Sequence, residues 1–321
     1  MNKNEWRERF EDFEFVDRSR RAHRNRLRQN KRRRKQSEKQ EQLAAELAAI
    51  DDSIGSFVPS YAAALDPLHH ERQWVINSVA SFYRDKLISD VTRLVKGGKE
   101  ANVYCCDGHP ATGLKLLAAK LYRPRMLRHL KNDAVYKAGR QLRDQEGKQM
   151  KGRRVKLALR KKTRFGKRVD IQWWIGNEFR AQQQLYQAGA DVPRPVAHSG
   201  TSILMEYIGD ETTAAPTLNQ VSLEPAEARA AFQRVMDNIA LMLDHHLVHG
   251  DLSAYNILYW HDRLFIIDFP QMVEARTNSN AFILLQRDIR RVCDYFSRFG
   301  VETNPTRLTL DLWKPYMGRD D

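Results

Sequence analysis

The sequence predicts an α+β fold in two lobes, a small antiparallel β-sheet followed by a mostly helical half, with a cleft between them. Three observations carry that expectation. Residues 90–123 (DVTRLVKGGKEANVYCCDG, then GLKLLAAKLYR) are β-branched and apolar runs broken by glycine turns, the pattern of a meander. From residue 225 onward, PAEARAAFQRVMDNIALMLDHH and AFILLQRDIRRVCDYFSRFG repeat apolar residues at three- and four-residue spacing. Three short apolar pieces of strand length, TSILMEYIG, NILYW and RLFIIDF, lie around and between these blocks.

Residues 1–68 read as a basic, largely flexible extension and linker. The stretch ending in KRRRKQSEKQEQ has almost no apolar periodicity. A short helix is expected over about 38–50, from Leu43, Leu47 and Ile50, before Gly55, Pro59 and Pro67 mark the linker. An amphipathic helix over 69–87 then offers Trp74, Val75, Val79, Phe82 and Leu87 to the sheet. The main domain is expected over 69–321, with its N-lobe at about 69–205 and its C-lobe at about 209–321. Within the N-lobe, a flexible basic loop (about 124–168) precedes a helix over 171–188 that stops at Gly189, and VPRPVAHSG leads into TSILMEYIG.

With 42% hydrophobic and 29% charged residues in 321, the chain can bury a sizeable core. It has no apolar run long enough for a membrane span and no signal-peptide core at its start, so no membrane partner is expected. Cys105, Cys106 and Cys293 make no disulfide framework, and no Cys/His set has zinc spacing; a reducing cytoplasmic setting is expected. The net charge of +14 is concentrated. Residues 18–35 hold 11 Lys/Arg and no acid, and residues 120–168 hold 19 against Asp133, Asp144 and Glu146, which leaves the remainder acidic. Two such segments point to a polyanion partner, RNA foremost, although solvated charge gives the same composition.

The chemistry is carried by His249-Gly-Asp-Leu-Ser-Ala-Tyr-Asn256 and by Asp268 in IIDF. Phosphoryl transfer needs a carboxylate for the attacking hydroxyl, oxygen ligands for Mg²⁺ and a cation on the nucleotide phosphates. Asp251 and Asn256, five apart, match the loop in which the Asp faces the acceptor and the Asn takes a metal. Asp268, closing a strand, fits a second Mg²⁺ ligand, and one Asp with one Asn suits a cation that keeps several waters. Lys120, in LAAKLYR, is the candidate phosphate-binding cation, and Glu178, in NEFRAQQQL, is the carboxylate that would orient it. The turn from Lys96 to Glu100 carries Gly97 and Gly98, which let backbone N–H groups approach phosphate, although hairpin glycines are common.

These pieces resemble the RIO family of atypical serine/threonine protein kinases. GKEANVY (98–104), AAKLYR (118–123), NEFR (177–180), ILMEYIG (203–209), LVHGDLSAYNIL (247–258) and IIDFPQMVE (266–274) fall in family order. GKEANVY and the HGDLSAYNIL run are similar to the first RIO subfamily, IDFPQMV to the second. The resemblance implies a bilobal protein-kinase-like fold and ATP with Mg²⁺ (or Mn²⁺) as cofactors. By it, Lys120 binds the phosphates beside Glu178, Lys99 and Glu100 belong to the phosphate loop, and Asp251 is catalytic. Asn256 and Asp268 hold the metal, and Asp268 can itself accept phosphate. Met205 is the gatekeeper, with Glu206 and Ile208 offering backbone groups to adenine. The acceptor is a protein Ser/Thr or the chain itself, with autophosphorylation or ATPase switching, and the small ribosomal subunit is an implied partner of the basic segments. Only 53 residues follow Asp268 and none form an A-P-E triplet, so a truncated fold without a long activation segment is expected. Two rivals remain: a small-molecule phosphotransferase of the aminoglycoside/choline-kinase type, and an RNA-binding module with a nucleotide-sensing core.

Overall fold

The computed structural model describes residues 57–65, 70–123 and 164–318. The chain divides into two compact units, Met1–Phe57 and Val58–Asp321. The helix expected over 38–50 lies outside the described residues, as does the basic loop up to residue 163. The second unit, from Val58 onward, carries every described helix and strand.

A one-turn helix α1 (Ser60–Ala63) occupies part of the expected linker. It is anchored rather than free: Ser60 N–H donates to Asp90 Oδ1 at 2.7 Å, Ala62 is fully buried, and the Tyr61 ring meets Tyr104 edge-on at 5.2 Å. Helix α2 (His70–Arg84) buries Val75, Ile76, Val79, Ala80 and Phe82, as its spacing predicts. It ends three residues before Leu87 because Lys86 turns left-handed (φ 53°) and swings the chain into the first strand.

Five antiparallel strands make the N-lobe sheet, in the order β1–β2–β3–β5–β4. They are β1 (Ile88–Gly97), β2 (Ala101–Gly108), β3 (Leu116–Tyr122), β4 (Pro195–His198) and β5 (Ser202–Glu206). The meander is the one the glycine turns predict; β4, hidden in VPRPVAHSG, is additional. Helix α3 (Arg164–Gln187) begins seven residues earlier than expected, inside the basic segment, and stops at Gly189 (φ 86°). Trp173, Trp174, Ile175, Glu178, Phe179 and Gln182 are all buried, so the middle of α3 is enclosed on more than one side.

The C-lobe core is built on α4 (Pro225–Asp244) and α5 (Ala281–Phe296). Pro225 and a capping box between Glu224 and Glu227 start α4, and α4 buries Ala228, Phe232, Val235, Met236, Ile239 and Leu243. Two ribbons complete the lobe: β6 (Leu247–Val248) with β9 (Val273–Glu274), and β7 (Ile257–Trp260) with β8 (Arg263–Ile266). A last helix, α6 (Pro305–Met317), capped by the Asn304 side chain, packs on α5. No helix among the described residues is long and apolar enough to cross a membrane.

Candidate active site

Lys120 sits in β3 between Val103 of β2 and Ile203 of β5, so its backbone is fixed from both sides. Its Nζ lies 2.6 Å from Glu178 Oε1 of α3 and 2.6 Å from Asp268 Oδ1, just beyond β8. Residues 58 and 148 positions away thus meet on one ammonium. Tyr122, two residues along and on the same face of β3, donates its hydroxyl to Glu178 Oε2 and lays its ring 5.4 Å from Nζ. Burial opposes the charge on Lys120, but Asp268 and then Glu178 outweigh it and hold the pKa well above its usual value. Burial raises the Glu178 carboxyl against the pull of Lys120. For Asp268 the balance runs the other way: burial works against the anion, Lys120 overcomes it, and the pKa falls.

The β1–β2 loop closes the top of the site. A Cβ at Gly98 would stand 2.6 Å from the Ala101 carbonyl oxygen, so only glycine fits there. Gly98 N–H donates to Asn102 Oδ1 at 3.3 Å, and Asn102, 1% exposed, is held in turn by Arg123 Nη2 at 2.7 Å. Its Nδ2 donates to Glu71 Oε1 and to the Tyr104 hydroxyl. The loop carrying Lys99 and Glu100 is therefore tied to the strand behind it. Desolvation, then repulsion from Asp268 against the pull of Lys120, raises the Glu100 carboxyl.

At the back, Met205 Sδ accepts from Gln182 Nε2 at 3.6 Å. Beyond it the chain crosses between lobes through Glu206, Tyr207 and Ile208, braced by Arg93 Nη2 on the Tyr207 hydroxyl at 2.6 Å. Glu206 N–H is used by the Arg194 carbonyl and the Ile208 carbonyl by Ala215 N–H.

The loop from His249 to Asn256 is held from below. His249 is buried; its Nδ1 accepts from Asp251 N–H, which makes Nε2 the donor to the Ile267 carbonyl at 3.2 Å. Burial lowers its pKa, so the neutral ring ties residue 251 to the stretch leading into Asp268. Asp268 itself is left-handed (φ 72°), a conformation that costs a non-glycine residue energy and that aims its carboxylate at Lys120. Asp288 of α5 accepts from Gly250 N–H at 2.7 Å and Leu252 N–H at 3.1 Å, and Arg287 donates to the Gly250 carbonyl. Arg291 Nη1 stands 2.7 Å from Asp251 Oδ1. Asn256 donates Nδ2 to the Asp251 carbonyl at 3.0 Å, which leaves its Oδ1 as an acceptor.

These elements enclose a cleft of about 820 Å³, a volume suited to a nucleotide-sized ligand. Lys99, Glu100, Lys120, Glu178, Met205, Glu206, Ile208, Asn256 and Asp268 all line it. Asp251 is not part of the wall; it flanks the cleft through Asn256.

A family model described as the RIO domain matches residues 120–308, more than half of the chain. The chain is a member of the RIO family. It is 32% identical over 246 residues to a serine/threonine-protein kinase RIO1 of Chaetomium thermophilum, covering 73% of this chain and 44% of that protein. A RIO-type serine/threonine-protein kinase Rio1 of Thermoplasma acidophilum is 31% identical over 45% of this chain and 77% of its own length. The human serine/threonine-protein kinase RIO1 is 30% identical over 69% of this chain and 36% of its own length. The chain thus spans less than half of the fungal and human RIO1 relatives. RIO proteins form a kinase family, which implies ATP and a divalent cation in general.

The donor set fits such a cation. Asp268 is held as an anion, Asn256 presents an amide oxygen, and neither brings a soft ligand. Among the described residues no group of three or more His, Cys, Asp and Glu could hold a metal by itself, so phosphate and water oxygens would have to complete the shell. Sequence reasoning missed Asn102, Tyr122, Asp288 and Arg291. Asp288 had a signal: it falls among Leu284, Leu285, Ile289 and Val292, on the face of α5 that must be buried.

Proposed function

We propose that the chain is an ATP- and Mg²⁺-dependent serine/threonine protein kinase of the RIO type, modifying itself or a protein acceptor and using the ATP state as a switch. The observation that carries this reading is Lys120 Nζ held between Glu178 and Asp268 at 2.6 Å each. Lys120 would bind the α/β-phosphates, and Glu178, fixed by Tyr122, keeps its ammonium aimed. Met205, the Glu206 carbonyl and the Ile208 N–H would receive adenine, and Lys99 and Glu100, which line the cleft, would stand over the phosphates. Asp268 and Asn256 Oδ1 would hold Mg²⁺. When bound, that ion supplies charge neutralisation of the β- and γ-phosphates. Asp251 would accept the proton of the attacking hydroxyl as its oxygen bonds to the γ-phosphorus, and the bond to the β-phosphate oxygen breaks to release ADP. The basic segments 18–35 and 120–168 support RNA or a small ribosomal particle as partner and site of action.

The test is transfer from γ-labelled ATP and Mg²⁺ to the full chain. Acid-stable label, lost in Asp251→Ala while nucleotide still binds, is expected of a hydroxyl acceptor. Acid-labile label would instead assign an acyl phosphate, with Asp268 as the acceptor. Label retained in full by Asp251→Ala would count against the reading.

A further inference from the structure

Helix α5 has two faces. Leu284, Leu285, Ile289, Val292 and Phe296 turn into the C-lobe core. Positions 283, 287, 290 and 291 follow the i, i+4, i+7, i+8 spacing of a single stripe on another side. Two members of that stripe are fixed to the loop from His249 to Asn256: Arg287 donates to the Gly250 carbonyl, and Arg291 Nη1 contacts Asp251 Oδ1 at 2.7 Å. The stripe therefore runs along the edge of the loop that carries the proposed base. It is open, with Ile283 62% exposed, Arg290 exposed and the Arg291 side chain 39% exposed. Within the loop, Tyr255 is 65% exposed and reaches the cleft.

We propose that this face of α5 is the acceptor-docking surface and that it selects a protein segment whose hydroxyl is flanked by acidic residues. The inference rests on the kinase reading above and names its substrate class. Arg291 already grips a carboxylate, that of Asp251, in a charge-assisted contact. An acidic residue beside the acceptor hydroxyl would take over the partly exposed guanidinium and leave Asp251 Oδ1 to face the hydroxyl, so binding the right segment also frees the base. Arg290 lies one position away and adds a second cation. Ile283, one turn N-terminal to Arg287, gives an apolar foothold that suits a peptide side chain and serves no purpose for a phosphodiester backbone. A basic segment would be repelled at two points, so the surface discriminates by charge as well as attracting.

Two synthetic peptides of equal length carrying one serine, flanked by Asp/Glu in one and Lys/Arg in the other, test this with the full chain and Mg²⁺-ATP. A kcat/KM at least tenfold higher for the acidic peptide is expected. Arg290→Glu and Arg291→Gln should each cut that ratio about tenfold, chiefly through KM for Arg290→Glu; a loss of fold would lower both peptides alike and leave the ratio unmoved. Equal turnover of the two peptides, or a ratio untouched by Arg290→Glu, overturns the surface while autophosphorylation keeps the kinase reading standing. Binding of a short single-stranded RNA that Arg290→Glu abolishes, with no peptide preference, reassigns the face to nucleic acid and also overturns it. Absence of any transfer, to peptide or to the chain itself, overturns the kinase reading with it.

Discussion

A single ammonium between two carboxylates is the residue-scale fact on which the rest of the site depends. Lys120 is nearly enclosed and Glu178 is 3% exposed, so the buried carboxylate is not tolerable without the ammonium beside it, whereas the ammonium also has Asp268. Removing the lysine strands a buried carboxylate; removing both charges does not. Lys120→Met should therefore destabilise the fold by about 3–5 kcal/mol, and adding Glu178→Gln should restore most of it. Urea unfolding of the two single variants and the double variant reads the coupling directly, and additive effects would contradict it. Asp268 plays a different part, since its side chain is 43% exposed at the cleft. Asp268→Asn should destabilise the fold less than Lys120→Met, because Glu178 still pairs the lysine, and should weaken the Mg²⁺-dependent part of nucleotide binding at least tenfold by calorimetry. Unchanged affinity in Mg²⁺ would count against the proposal that Asp268 is a metal ligand. That the lysine, glutamate and aspartate meet was legible in the sequence because each lies in a short motif that carries the family resemblance. Asn102 was not, because its role is a contact with Gly98 in the turn and with Arg123 and Glu71 elsewhere, and a strand asparagine carries no local mark of such partners.

At the scale of elements, α5 does more than fill the core. It presents Asp288 upward to two N–H groups of the loop from His249 to Asn256, fixing the height and tilt of Asp251 from 36 and 38 residues away. Asp288→Ala would leave both buried donors unmet, at about 1–3 kcal/mol each, and would loosen the loop as well. Burial pushes the Asp288 carboxyl up to about 7, against the lowering effect of the Gly250 N–H, Arg287 and the Leu252 N–H. The native state thus holds a proton that the unfolded chain gives up near pH 4. A raised carboxyl contributes its stability in full below the unfolded pKa and loses it as pH climbs through the folded one. Between about pH 4 and pH 7, the stability of the native chain relative to Asp288→Asn should therefore fall, by about 1.4 kcal/mol for each unit of displacement. Chemical denaturation of both proteins across that range checks it, and a constant difference would mean that Asp288 is ionised throughout. Element boundaries show where local pattern stops being informative. The meander and the helices α2, α4 and α5 follow from glycine turns and apolar spacing. The strand β4 is four residues long with Pro195 as its first, and no alternation survives at that length; pairing with β5 makes it a strand. The early start of α3 is equally silent, because a run as basic as residues 160–168 has no apolar stripe by which to be recognised.

At the scale of the whole molecule, charge is divided rather than spread. The chain carries +14, yet the residues outside 18–35 and 120–168 are together acidic, so the charge that would attract a polyanion lies in two segments of the sequence. For RNA, the strength of such attraction lies in released counterions, and each phosphate neutralised adds about 0.7 to the slope of log K against log salt for a single strand. Residues 18–35 hold 11 Lys/Arg, so engagement of only half of them makes the contribution of that segment a slope of roughly 3–4. Deleting residues 1–36 should then flatten the salt dependence of RNA binding by about that amount, and the loss in affinity should be larger at low salt than at high salt. The acidic-acceptor surface on α5 makes no such demand on the N-terminus, so peptide turnover by the deleted chain should keep its charge preference. Titration of a fluorescent single-stranded RNA over a range of potassium chloride concentrations, with the full and the shortened chain, measures both slopes. Parallel lines would show that residues 18–35 do not contact the phosphates, and any RNA binding would then be assigned to residues 120–168.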